Sequence, residues 1–79
     1  MKRNTNREHR TMATREQNLK RLYEIIFAIY TQDKFSRPDI AAQFHVEGFV
    51  AQNRHATSSN FDKLLEMEIE DCSRALVAG

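Results

Sequence analysis

Apolar residues at Leu19, Leu22, Tyr23, Ile26, Ile29 and Tyr30 recur every three or four positions, the spacing that lines one face of an α-helix. The stripe predicts a helix from about Arg15 to Thr31. Thr14 stands where its hydroxyl can accept a backbone N–H, and Gln17 three residues on can close a capping box. A second start signal follows at Phe35-Ser36-Arg37-Pro38-Asp39. Ser36 is the expected cap, Asp39 its reciprocal partner, and Pro38 falls in the first turn, where a missing N–H costs little. Ile40, Ala41 and Phe44 then point inward. Gly48 predicts a break, and Phe49-Val50-Ala51 the opening of a short third helix. Thr57-Ser58-Ser59-Asn60 starts a fourth, with Phe61, Leu64, Leu65 and Met67 or Ile69 on its apolar side. Leu76 and Val77 predict a last short turn packed back on the core. No stretch alternates in the strict period of a strand, so the expected fold is all-α, a small bundle of four to six helices.

The first helix is apolar over more of its circumference than one neighbour can use. With Leu19 at zero on a wheel of about 100° per residue, the core stripe runs from roughly 280° to 40°, Ile25 lies near 240° and Phe27 near 80°. The apolar arc is therefore about 200°, twice what a surface helix requires. Lys20, Glu24 and Thr31 sit beside Phe27. An aromatic ring next to opposite charges suits the anchor and rim of a protein contact. One reading is that a small domain wraps this helix on three sides. The other is a partner-binding face made by Lys20, Glu24, Phe27, Ala28 and Thr31, continuing to Lys34 and Phe35 beyond the helix end, with Val50 added from the following segment.

Residues 37–56 also carry a helix-turn-helix-like pattern. Ile40, Ala41, Phe44, Val46 and Ala51 occupy core positions of such a pair, but His45 replaces the usual turn glycine and Arg54 stands where an apolar residue would pack. A second possible reading helix, 58–68, carries Asp62, Glu66 and Glu68, and an acidic helix repels phosphates. Sequence-specific reading of DNA is therefore not expected, and a small DNA-binding repressor using Phe49–His55 and the basic N-terminal arm is the alternative function.

The chain has 79 residues, two glycines, one proline and one cysteine, the scale of a single small domain whose core is modest. Charge is unevenly spread around a net +1. Lys2, Arg3, Arg7, Arg10 and Arg15 against Glu8 leave the first fifteen residues basic. Asp62, Glu66, Glu68, Glu70 and Asp71 against Lys63 and Arg74 leave the last twenty-five acidic. The expected organisation is a disordered basic arm over 1–14 and a helical domain over 15–79, with Met12 an alternative start. No run is long enough for a membrane span, the N-terminus lacks the apolar core of a secretory signal, and a single Cys72 excludes an internal disulfide; the cytoplasm is the expected compartment.

No glycine-rich phosphate loop and no paired nucleophile and base are present, so an enzyme is not expected. His9, His45 and His55 have no ligand-like spacing with one another or with Cys72, and no metal or other cofactor is expected. Cys72 reads as a half-buried thiol with only Arg74 nearby to lower its pKa.

Two blocks carry a family resemblance. Asn18…Glu24-Ile25-Ile26, then seven residues, then Lys34-Phe35-Ser36-Arg37-x-Asp39-Ile40 is similar, without a gap, to the opening of the AsiA family, the anti-sigma factors of T4-type bacteriophages. Phe61-x-Lys63 followed by two aliphatics, then Glu70-Asp71 and Leu76-Val77, resembles that family's later helices with one residue gapped. The resemblance covers roughly 17–40 well and 59–77 loosely; the segment 41–57 aligns poorly. It implies an all-α protein that binds the C-terminal promoter-reading region (region 4) of the primary bacterial sigma factor and blocks recognition of host promoters by RNA polymerase. It further implies co-activation with a phage activator of the MotA type, a homodimer in the free state using the same face, and the cytoplasm of the infected host as its location. Glu24 matches an acidic partner-contact position, and Lys34 and Phe35 match positions at the end of that face; Ile25, Ile26, Ser36, Asp39 and Ile40 match as core and cap residues. Thr31 and Gln32 depart from the family's aliphatic pattern, the family's final helical stretch has no counterpart here, and the basic arm is additional.

Overall fold

A computed structural model describes residues 14–79, which form three α-helices and no strand: α1 (Arg15–Gln32), α2 (Pro38–Gln52) and α3 (Ser58–Ala78). The all-α expectation holds. The number of helices does not, because two expected breaks are absent. Gly48 is not a breaker here: α2 runs through it in ordinary helical conformation, since one glycine in a helix interior costs only about 1 kcal/mol relative to alanine. The helix-turn-helix-like pattern over 37–56 is thus one continuous helix followed by a turn. The last turn around Leu76 and Val77 is likewise an extension of α3, and Val77 is 86% exposed rather than packed on the core. The basic arm, His9 and Met12 lie outside the described residues.

α1 starts as its sequence predicts. The Thr14 hydroxyl accepts the Gln17 backbone N–H at 3.1 Å, and the Thr14 N–H donates to the Gln17 side chain at 2.9 Å, so the capping box is closed in both directions. Thr57 caps α3 by accepting from the Asn60 N–H at 3.2 Å. The start of α2 differs. It begins at Pro38, with Arg37 as N-cap and no side-chain cap bond from Ser36. Asp39 serves the helix end instead: the Ile40 backbone N–H, and then Arg37 at 3.5 Å, hold its carboxyl below the usual range.

α1 is the central element, packed on both α2 and α3. The core is Leu22 and Ile26 from α1, Ala42 from α2, and Phe61, Leu65 and Ile69 from α3. Leu19, Tyr23, Ile25, Ile29, Tyr30, Val46 and Phe49 close around it. α2 and α3 meet through side chains, at the Phe49–Phe61 ring pair (5.7 Å between centroids) and the His45–Glu68 contact. On α2, Ala42, Val46 and Phe49 share the inward face, so Phe44 and Ile40, nearly opposite them on the helix, are exposed at 68% and 37%, against the inward expectation for both. On α3, Ile69 takes the buried position and Met67 faces solvent. No helix among the described residues is long and apolar enough to cross a membrane.

Candidate functional site

Two-sided packing of α1 accounts for much of its wide apolar arc. Ile25, on one flank of the core stripe, is drawn into the packing. Phe27, on the other flank, stays 38% exposed with Tyr23 as its ring neighbour at 6.1 Å. Lys20, Glu24 and Thr31 are exposed around it and Ala28 is half-buried. The Thr31 hydroxyl donates back to the Phe27 carbonyl at 2.8 Å.

The face continues past the helix end through an unusual cap. Lys34 has a left-handed backbone (φ 64°). Its N–H donates to the Thr31 carbonyl, and the Phe35 N–H donates to the Tyr30 carbonyl, both at 3.0 Å. This pair of bonds is the Schellman arrangement that ends many helices, here with lysine where glycine is usual. The hydrophobic contact that accompanies it is Tyr30 against Phe35, with ring centroids 4.5 Å apart. Phe35 is half exposed even so. Lys34 and Phe35 therefore have structural work as well as a place on the surface. Sequence reasoning missed it because no glycine marks the cap; the aromatic pair five residues apart was the available signal.

Val50 belongs elsewhere. It lines a separate cleft of about 310 Å3 with Arg15, Leu19, Asn53, Ala56 and Phe61 at the opposite end of α1. Arg15 ties that end shut, bonding Asp62 at 2.9 Å and the Ser58 carbonyl at 3.3 Å with its guanidinium 4.8 Å from the Phe61 ring centre. The candidate residues thus separate into a group running along α1 from Lys20 to the cap at Phe35, and an isolated Val50. Comparison with protein-family models, with curated proteins and with solved structures finds no match.

A second cluster joins residues that sequence spacing kept apart. His45 Nε2 lies 2.8 Å from Glu68 Oε2, and Cys72 Sγ lies 3.8 Å from the same oxygen. Burial, and then the charge and hydrogen bond of Glu68 and the charge of Asp71, push the Cys72 thiol up to about 11. Left to itself this thiol is neutral and is no nucleophile. A cleft of about 230 Å3 beside Phe44, Gly48, Phe49 and Gln52 opens onto His45 and Glu68.

Proposed function

We propose that this chain is a protein-binding regulator of the AsiA anti-sigma type, which docks a helical segment of the primary sigma factor's region 4 on the Phe27–Phe35 face. The observation that carries the reading is an aromatic ring, Phe27, left at the surface of the central helix, with a second half-exposed ring, Phe35, packed on the last turn of that helix. Phe35 lies beyond the end of α1, and its ring folds back against Tyr30, about one helical turn from Phe27. Burying an aromatic ring supplies on the order of 2 kcal/mol. Two half-exposed rings alone do not meet the entropy cost of association, so Lys20, Glu24, Thr31 and Lys34 complete the contact at its rim.

The mechanism is competition. Region 4 is held either by polymerase or by this face, and each ~1.4 kcal/mol of difference changes the ratio tenfold. Host promoter recognition falls without contact between this protein and DNA, and a MotA-type activator recruits the altered polymerase to phage promoters. In the absence of sigma the same face pairs with a second copy of the chain. α3, with Asp62, Glu66, Glu68, Glu70 and Asp71, supports this reading over that of a DNA-binding repressor, because such a helix repels phosphates.

Co-purification tests it. Tagged protein is expected to retain primary sigma factor, identified by mass, from a bacterial lysate, and Glu24→Lys is expected to release it. A shifted DNA duplex at moderate salt, with no sigma retained, would instead establish the repressor.

A further inference from the structure

The geometry points to a zinc site at His45, Glu68 and Cys72, a clamp joining α2 to α3. Three residues of different ligand chemistry converge from two helices, and their ligand atoms all lie within 4.8 Å of one another. Glu68 and Cys72 are one helical turn apart on α3, so they present to the same side; His45 reaches across from α2. All three are half-buried, sheltered enough to hold an ion and open enough to admit one. The inference stands apart from the sigma-binding reading and neither requires it nor follows from it.

Nitrogen, sulfur and oxygen donors together select a borderline cation. Magnesium and calcium prefer all-oxygen sets, whereas zinc accepts one of each. Neutral imidazole, carboxylate and thiolate carry two negative charges, which the ion cancels. Cys72 gives its proton to the buffer on binding. An ion with bonds of about 2.0–2.3 Å holds ligand atoms roughly 3.3–3.6 Å apart. The 2.8 Å His45–Glu68 contact opens by about half an ångström to admit it, and the sulfur moves closer to the imidazole. Three protein ligands leave a fourth position, and the cleft beside Gly48 supplies water to it. The consequence is mechanical: the His45–Glu68 contact, which with the Phe49–Phe61 pair joins α2 to α3, is replaced by metal bonds at the same point.

The test is titration of the full chain, reduced and metal-free, with zinc and with cobalt(II) as a spectroscopic probe. One ion per chain is expected, with a thiolate-to-cobalt charge-transfer band and visible bands of tetrahedral intensity. At zinc 100 times its Kd, the folded-to-unfolded ratio is expected to rise about 100-fold. Cys72→Ser should abolish the charge-transfer band. His45→Gln and Glu68→Gln should each weaken zinc at least about tenfold, the loss typical even of groups that only support a ligand. Circular dichroism verifies that each variant is helical. The double variant His9→Gln/His55→Gln should bind as the parent does. The inference is overturned if the parent binds zinc no more tightly than Cys72→Ser, if the double variant loses the ion, or if one ion is shared between two chains.

Discussion

The Phe35 ring lies against Tyr30 with 4.5 Å between centroids, while the Phe35 N–H is bonded to the Tyr30 carbonyl. One residue thus closes α1 by its backbone and covers the last turn by its side chain. A residue with two such tasks is a poor probe of binding alone. Phe35→Ala removes an aromatic pair worth about 0.5–1.5 kcal/mol, and chemical denaturation should show a stability loss of that size besides any loss of affinity.

Lys34 occupies the left-handed position that glycine takes at low cost. Lys34→Gly should therefore stabilise the domain by about 1 kcal/mol, read as a higher urea midpoint with an unchanged slope. A destabilised Lys34→Gly would mean that the lysine stem contributes packing that outweighs its backbone cost.

How much of this was legible in the sequence depends on the kind of signal. Both bonds of the Thr14–Gln17 box and the α1 stripe were readable, because each is set by neighbours within one or two turns. Gly48 misled, because a lone glycine does not break a helix whose two sides both hold good contacts. Phe44 and Ile40 share one helical face and Ala42, Val46 and Phe49 the opposite one, and only packing on α1 decides that the second face is the buried one. His45 and Cys72 are 27 positions apart, and no local period reveals that α2 and α3 bring them together. Val50 was grouped with Phe27 although only the fold shows it at the far end of α1.

Gly48 has open space where a β-carbon would stand, with no atom within 4 Å. Gly48→Ala should raise stability by about 0.5–1 kcal/mol, chiefly by restricting the unfolded chain. For a domain of this size that is roughly 3–6 °C in Tm. An unchanged or lower Tm would mean the cleft beside it is narrower than described.

Leu22 is completely buried at the junction of all three helices. Leu22→Ala should cost about 2.7–5 kcal/mol, a large share of what so small a domain possesses. Loss of the cooperative melt, or a fall of that size in the denaturant midpoint, is the expected result; a cost under about 1 kcal/mol would contradict the central position of α1.

Asp39 is held below the usual carboxylate value of 3.8, first by the Ile40 N–H and then by Arg37. A depressed carboxyl stabilises the fold above its unfolded pKa and loses that contribution as pH falls through the folded value. The gap in Tm between parent and Asp39→Asn should accordingly be present near neutral pH and close below about pH 3.8. A gap that persists unchanged into stronger acid would assign the effect to something other than the charge.

The claim on which the functional account depends is that Phe27 remains at the surface to be covered by another protein. Purified sigma region 4, labelled and titrated with the full chain and with Phe27→Asp, tests it most directly by fluorescence anisotropy. The account predicts saturable binding by the parent, at least a tenfold loss in Phe27→Asp, and a Tm for that variant within a few degrees of the parent's. Equal binding by both proteins, or no binding of region 4 by the parent, would contradict it.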